Sequence, residues 1–275
     1  MTADLSRIGG LLLVGCGKMG GALLQGWLAR GVPAKRIQVV EPALDPARTA
    51  VPAGVGTVAH AGDLPSGFAP EIVVFAVKPQ VMADVVPGYA GFAGPNTAFV
   101  SIAAGTPIRF FEERLGEIAM IRVMPNTPAA VGHGMSVLCA NAGASQSQRQ
   151  MAEGLMAAVG ATAWLDDEGL MDAVTAVSGS GPAYVFLLIE CLAKAGEAVG
   201  LTPDLAKVLA LQTVAGAGAL AAQSDDDAAQ LRVNVTSPGG TTQAALEVLM
   251  AADGLQPLLT AAVAAAEKRG RELGS

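Results

Sequence analysis

Two glycine-rich stretches, far apart in this chain of 275 residues, have the residue types to bind anionic groups. The first, Gly15-Cys16-Gly17-Lys18-Met19-Gly20, follows an aliphatic run at residues 11–14 and precedes a helical pattern at 22–29. A strand, a G-x-G-x-x-G turn and a helix in this order form the phosphate-binding start of a dinucleotide-binding unit. Gly15 permits the tight turn, Gly17 lets the backbone approach a pyrophosphate, and Gly20 lets the helix pack closely on the strand. We therefore predict that these six residues bind a dinucleotide, with its phosphates at the positive end of the helix.

The second stretch, Ser237-Pro238-Gly239-Gly240-Thr241-Thr242, also precedes a helical pattern, at residues 244–251. Its backbone N–H groups and hydroxyls suit a small carboxylate. Ordinary capping of the helix by Ser or Thr explains the same residues. The motif alone leaves both interpretations open.

An acidic residue, Glu41, ends the next predicted strand, about twenty residues after the first glycine turn. A carboxylate in this place can accept hydrogen bonds from the adenosine ribose hydroxyls and repels a 2′-phosphate. The alternative is a solvated acid at a strand end. Because Arg48 is close enough in sequence to offset that repulsion, NADH and NADPH both remain candidate cofactors.

Two further segments follow apolar strands at the edge where a doubly wound sheet binds its ligands. Lys78-Pro79 follows the apolar run 72–77, so Lys78 points either toward bound cofactor or into solvent. Pro125-Asn126-Thr127-Pro128 follows the run 118–124 and predicts a stiff loop aimed at the same crevice.

The order of the elements indicates two domains. Strands and helices alternate up to residue 165, which is typical of an α/β, doubly wound parallel sheet of the Rossmann type. From residue 166 to 275 only helical periodicity remains, interrupted at Ser178-Gly179-Ser180-Gly181-Pro182, where Ser180 is a candidate helix cap. We predict a dinucleotide-binding domain at 1–165 and an all-helical domain at 166–275.

Composition excludes several classes of function. The net charge is −7 without a basic cluster, which argues against nucleic acid as a partner. Three widely spaced cysteines and two histidines argue against disulfides and a metal site, and fit a reducing cytoplasm. No uninterrupted apolar run reaches the ~18 residues that span a bilayer, so we expect no membrane segment. The high apolar content favours large contacts between subunits instead.

The chain resembles the pyrroline-5-carboxylate reductases of proline biosynthesis over nearly its whole length. The resemblance depends on several motifs that occur in the family's order: Gly15–Gly20, Ala76-Val77-Lys78-Pro79, Met124-Pro125-Asn126-Thr127-Pro128, Asp172-Ala173-Val174-Thr175 with Ser178-Gly179-Ser180-Gly181-Pro182-Ala183-Tyr184, and Thr236-Ser237-Pro238-Gly239-Gly240-Thr241-Thr242. The last is the family signature. The resemblance implies a Rossmann domain, a helical dimerisation domain, and reduction of 1-pyrroline-5-carboxylate to L-proline by NADPH or NADH in a homodimer or a higher assembly of dimers.

The resemblance also implies roles for individual residues. The glycine turn would hold the pyrophosphate, and the other residues implied at the cofactor are Ala76, Val77, Lys78, Pro79, Ile102, Ala103, Ala104 and Asn234. The residues implied at the substrate carboxylate and ring nitrogen are Glu168, Ser237, Gly239, Gly240, Thr241 and Thr242. Glu41 and Asp63 depart from the family pattern and add negative charge near the adenosine end, which leaves the cofactor preference open.

Two other functions remain in view. β-Hydroxyacid dehydrogenases have a similar layout but use a lysine followed four residues later by asparagine, whereas Lys194 is followed at that spacing by Ala198. A cofactor-binding sensor without turnover is the second alternative. For the reductase, we expect Thr242 to orient the ring nitrogen and to act as the catalytic residue.

Overall fold

An eight-stranded sheet organises the first part of the chain in the computed structural model, which describes residues 4–43 and 51–274. Arg48 lies outside these residues. The strands in chain order are β1 (Leu11–Val14), β2 (Ile37–Val40), β3 (Gly56–Val58), β4 (Ile72–Phe75), β5 (Ala98–Ser101), β6 (Ala119–Met124), β7 (Gly134–Ala140) and β8 (Gly160–Trp164). They lie in the order β3-β2-β1-β4-β5-β6-β7-β8, and every pairing is parallel except that of β6 with β7. The predicted Rossmann-type sheet is confirmed.

The sheet is buried on both faces because its central strands are continuous apolar runs. In β1, Leu11 and Leu13 face one core while Leu12 and Val14 face the other. The helices of this part of the chain are α1 (Lys18–Ala29), α2 (Pro79–Val85), α3 (Ile108–Leu115), α4 (Gln146–Ala157) and α5 (Met171–Val174). One core includes the fully buried Trp27, whose indole Nε1 donates to the Leu155 carbonyl at 2.9 Å.

The chain divides into two compact units, Met1–Gly179 with Glu267–Ser275, and Ser180–Ala266. The predicted boundary at residue 166 stays a prediction. The helices that follow α5 are α6 (Gly181–Ala198), α7 (Pro203–Gln223), α8 (Ala228–Asn234), α9 (Thr241–Leu249) and α10 (Leu255–Gly274).

The helix break at residues 178–182 differs in detail from the prediction. A π-helical turn, Thr175–Gly179, precedes α6, and Pro182 lies in the first turn of α6 as expected. Ser180 has helical φ and ψ of −85° and −22°, and its side chain makes no capping hydrogen bond. Its expected role as a cap is wrong, because a capping residue needs an extended backbone to turn its oxygen onto the helix.

The expectation about membrane-spanning length also needs correction. By length and composition alone, Glu168–Ala198 and Pro203–Gln223 are helical stretches long and apolar enough to cross a bilayer. Isolated charges such as Glu190 interrupt the apolar runs in these helices, but the helices remain apolar overall. Such helices are weak evidence for a membrane protein. In the single chain they expose large apolar side chains, among them Phe186 at 58% and Val208 at 63%.

Candidate active site

The first glycine turn joins β1 to α1 and has the conformation that a tight turn requires. Gly15 has φ of +90°, a region that residues with a Cβ rarely adopt. A Cβ at Gly15 would also lie 2.7 Å from Val77 Cγ1 and 2.9 Å from the Ala76 carbonyl oxygen. Any other residue in this position would therefore strain the backbone and collide with the two residues that follow β4.

Gly17 and Gly20 serve different purposes. A Cβ at Gly20 would collide with the Gly15 carbonyl oxygen, so α1 can approach the turn only because this position is glycine. A Cβ at Gly17 would meet no atom within 4 Å. The absence of a side chain at Gly17 thus leaves open space in front of the N-terminus of α1. Gly17 has no side chain to cap that helix, and the first N–H groups of a helix lack intrahelical partners.

A cavity of about 660 Å³ opens beside this turn. Six of the predicted cofactor residues line it, namely Gly15, Gly17, Glu41, Ala76, Val77 and Lys78. Lys78 is exposed and immediately precedes α2. The cavity wall also includes His60, Asp84 and Tyr89, which the sequence did not single out.

The Glu41 carboxylate is fixed against the glycine turn. Its Oε2 accepts a hydrogen bond from the Cys16 N–H at 2.8 Å, and its Oε1 accepts one from the Ala43 N–H at 3.1 Å. Cys16 itself is 1% exposed, and burial, followed by the charge of Glu41, raises the pKa of its thiol to about 11. The thiol therefore stays protonated at neutral pH. Cys16 contributes to the polar contacts of the turn through its backbone N–H.

Other predicted cofactor residues lie outside the lining of this cavity. After β5, Ile102 and Ala103 continue the chain, with Ala103 in the core and Ala104 exposed. Asp63 Oδ2 accepts from the His60 N–H at 3.2 Å and so caps a short 3₁₀-helix. Met19 is half-buried, Lys18 is exposed on α1, and Pro79 begins α2. Their contacts with cofactor stay predictions.

The second glycine turn forms the N-terminus of α9. Gly239 has φ of +70° and donates its N–H to Gln243 Oε1 at 2.7 Å, and Gly240 donates to the Ser237 carbonyl at 3.0 Å. These two amides, which the sequence suggested for a carboxylate, therefore already have partners. The N–H groups of Thr241 and Thr242 open the helix, where intrahelical partners are lacking. Thr242 is half-buried and Ser237 and Thr241 are exposed.

Asn234, at the end of α8, makes its side-chain hydrogen bonds within the helical unit. Its Nδ2 donates to Asp226 Oδ2 at 3.1 Å, and its Oδ1 accepts from Gln230 Nε2 at 2.8 Å. These bonds tie the end of α8 back to its start. Its predicted cofactor contact stays a prediction.

Glu168 lies in the first unit, where it pairs with a buried arginine. Its Oε1 is 2.9 Å from Arg122 Nη1 on β6 and also accepts from the Ile108 N–H at 2.8 Å, at the start of α3. The Arg122 side chain is 7% exposed and that of Glu168 is 29% exposed. Both line a second cavity of about 340 Å³, which Asp172 and Arg271 also line. The carboxylate therefore links β6 to the start of α3.

Comparison with known proteins decides the family. Residues 168–273 match the family model described as pyrroline-5-carboxylate reductase dimerisation, and residues 10–105 match the one described as NADP oxidoreductase, coenzyme F420-dependent. The chain is 42% identical over 265 residues to the pyrroline-5-carboxylate reductase of Pseudomonas aeruginosa, covering 96% of each protein. The chain belongs to the pyrroline-5-carboxylate reductase family.

Two solved structures extend the comparison to the fold of this reductase. The pyrroline-5-carboxylate reductase of Coxiella burnetii is 34% identical with a TM-score of 0.91, covering 98% of this chain and all of the other. The Plasmodium falciparum pyrroline carboxylate reductase, solved with NADP bound, is 30% identical with a TM-score of 0.82, covering 98% and 99%. The resemblance inferred from the motifs is confirmed, as is the fold class.

The first unit of this reductase fits a dinucleotide. The open space at Gly17, the close packing at Gly20 and the uncapped start of α1 are the features that such a ligand needs. The cavity beside them has the volume of a typical small-molecule site and includes both apolar and charged groups.

The residues of these sites that the sequence did not single out differ in the signal they gave. Arg122 had a signal, because a lone arginine in the apolar strand Ala119–Met124 must find a partner if it is buried. The only signal for Gln243 was its position, four residues after Gly239. No signal in the sequence pointed to Asp84, because an acidic residue on a surface helix is normally just solvated.

Proposed function

We propose that this chain is a pyrroline-5-carboxylate reductase that reduces the C=N bond of 1-pyrroline-5-carboxylate to give L-proline. The observation that carries the proposal is its 42% identity to a curated reductase over 96% of both proteins, a match that includes both glycine turns. Residues 168–273 match the dimerisation model of the same family, which supports assigning the helical part of the chain to the same enzyme function.

The first unit supplies the cofactor site of the proposal. Gly15 to Gly20 hold the pyrophosphate at the uncapped start of α1. Glu41, Ala76, Val77 and Lys78 line the adjoining cavity. When bound, the reduced nicotinamide supplies the hydride for the C=N carbon. Asp63, Pro79, Ile102 to Ala104 and Asn234 complete the set that we propose for cofactor binding.

The start of α9 supplies the substrate site. We assign the carboxylate to the N–H groups of Thr241 and Thr242, because those of Gly239 and Gly240 are held by Gln243 and Ser237. Glycine at 239 allows the positive φ that turns the chain into this helix entrance. The helix N-terminus adds favourable electrostatic interaction with the anion.

The chemistry makes modest demands on side chains. If the imine enters protonated, hydride addition neutralises the nitrogen and no anion develops, so a strong positioned acid is unnecessary. This agrees with residues 166–275, which contain no histidine. Thr242 then orients the ring nitrogen through its hydroxyl. Catalysis depends mainly on positioning, which can contribute up to ~7–11 kcal/mol in well-oriented cases.

One assay separates the three functions that the sequence left open. Adding 1-pyrroline-5-carboxylate to the protein with NADH or NADPH should oxidise the nicotinamide and form proline. A sensor would show no oxidation, and a β-hydroxyacid dehydrogenase would act on a hydroxy or keto acid instead. Either outcome would refute the proposal.

Thr242 is tested by removing only its hydroxyl. We expect Thr242→Ala to lower kcat/KM at least about 10-fold, the effect of a ~1.4 kcal/mol loss in the transition state. Thr242→Ser keeps the hydroxyl and serves as the control, so it should retain most of the activity. Equal kinetics for the wild type and the alanine variant would remove Thr242 from the site.

We also propose that the enzyme is a cytoplasmic homodimer or an assembly of dimers. The apolar side chains that α6 and α7 expose, such as Phe186 and Val208, need a covering surface, which a second copy supplies. Cys16, Cys139 and Cys191 are all free, which agrees with a reducing compartment.

A further inference from the structure

The backbone of Glu41 is fixed beside the glycine turn by the sheet. Strand β2 pairs in parallel with β1, and the Glu41 N–H continues the pairing with β3 by donating to the Val58 carbonyl at 3.0 Å. On the other side, the Gly15 N–H donates to the Val40 carbonyl at 2.9 Å. The position of Glu41 relative to the turn is therefore set by main-chain hydrogen bonds on both sides.

The side chain of Glu41 is equally constrained. Its two carboxylate oxygens accept from different backbone groups, the Cys16 N–H at 2.8 Å and the Ala43 N–H at 3.1 Å. These two backbone donors hold the carboxylate in place. A charged group is thus fixed at the wall of the cavity next to the phosphate-binding turn.

The charges around this cavity do not offset Glu41. Within residues 4–43 and 51–274, the charged side chains of its lining are the carboxylates of Glu41 and Asp84 and the ammonium of Lys78. The other titratable groups there are His60 and Tyr89. No arginine of the described segments lines it. The exposed carboxylate of Asp63 lies close to the cavity, since it accepts a hydrogen bond from the N–H of His60.

We propose that Glu41 binds the adenosine ribose hydroxyls and makes this reductase prefer NADH to NADPH. A pyrophosphate on the glycine turn places the adenosine ribose near the end of β2, where an acidic residue accepts from the 2′-hydroxyl. A 2′-phosphate would instead bring further negative charge against a fixed carboxylate, in a cavity whose lining holds two carboxylates and one ammonium group. The proposal depends on the proposed function only in that a nicotinamide dinucleotide binds at this turn.

The test is a binding measurement without substrate. NADH and NADPH are each titrated into the full-length protein, and the Kd is read from nucleotide fluorescence. We expect the wild type to bind NADH at least 10-fold more tightly than NADPH. A protein that bound NADPH equally well or better would overturn the proposal.

Two variants assign the preference to Glu41. Glu41→Gln keeps an acceptor for the Cys16 N–H but removes the charge, so the ratio of the two Kd values should move at least 5-fold toward NADPH. Damage to the turn would instead weaken both nucleotides equally. Asp84→Asn removes a second carboxylate from the same cavity, and we expect it to change the ratio less than 2-fold. An unchanged ratio in Glu41→Gln, or an equal shift in Asp84→Asn, would contradict the role of Glu41.

These results are independent of turnover. If nicotinamide oxidation with 1-pyrroline-5-carboxylate fails while NADH still binds selectively, the proposed function is wrong and the role of Glu41 stands. If proline forms but NADH and NADPH bind with equal affinity, the proposed function stands and the role of Glu41 is wrong.

Discussion

Removing the Glu168 carboxylate should destabilise the first unit strongly. Arg122 is 7% exposed and its Nη1 lies 2.9 Å from Glu168 Oε1, so loss of the carboxylate leaves a guanidinium without its counter-charge in the sheet. The same oxygen also accepts from the Ile108 N–H at the start of α3. Glu168→Ala therefore removes an ion pair and a helix-terminal hydrogen bond together.

The magnitude follows from the burial of the two partners. Breaking one side of a buried pair costs about 3–5 kcal/mol. Because the Glu168 side chain is 29% exposed, water can reach the site, and we take about 3 kcal/mol. For a chain of this size, that loss lowers the Tm by roughly 6–12 °C.

Urea unfolding at fixed protein concentration measures the change. The control is Glu113→Ala. The Glu113 side chain is 60% exposed and pairs with Arg109, which is 82% exposed, and at 3.7 Å with Arg114, so its loss should cost at most about 1 kcal/mol. In an Arg122→Met background, Glu168→Ala should cost much less than in the wild type, because the buried charge is already gone.

Two results would refute this reasoning. If Glu168→Ala moves the unfolding midpoint no further than Glu113→Ala, the pair does not stabilise the fold. If stability is unchanged while the KM for 1-pyrroline-5-carboxylate rises, Glu168 acts on substrate, as the family resemblance implies.

Three further predictions concern the glycine turns. Gly17→Ala should weaken NADH binding at least about 10-fold while changing the free energy of unfolding by less than about 1 kcal/mol, since its Cβ meets no protein atom. Gly20→Ala, its matched control, should instead destabilise by about 1–3 kcal/mol in urea, because its Cβ collides with backbone. Gln243→Leu should lower kcat/KM for substrate about 5-fold with NADH affinity unchanged, because the turn loses the bond that holds the Gly239 N–H. Gln243→Glu keeps that acceptor but places a second carboxylate beside Glu247, so it should restore only part of the activity. Burial raises the pKa of the Cys16 thiol from 9.0 to about 11, so its contribution to stability is complete below pH 9 and is lost as the pH rises through 11. Between pH 8 and about 11, the free energy of unfolding should fall less in Cys16→Ala than in the wild type. An identical pH dependence in the two proteins would contradict the role of the buried thiol.

The sequence by itself determined the architecture of the first part of the chain. Short continuous apolar runs such as Ile72–Phe75 are typical of strands covered on both faces, and their alternation with helical patterns indicates parallel pairing. The distinct properties of Gly15, Gly17 and Gly20 were also predictable, since each follows from the absence of a Cβ at a known place in a strand–turn–helix unit. These features are local, so spacing along the chain is enough to reveal them.

Only the tertiary structure decided which polar groups meet. Glu168 and Arg122 are 46 residues apart in sequence. Glu41 is 25 residues from Cys16, whose N–H donates to its carboxylate. Hydrogen bonds depend on the position of atoms to within a few tenths of an ångström, and the packing of whole strands and helices sets those positions. For the same reason the sequence left open whether the second glycine turn binds a carboxylate or only starts a helix. In the folded turn, the Gly239 and Gly240 amides already have hydrogen-bond partners.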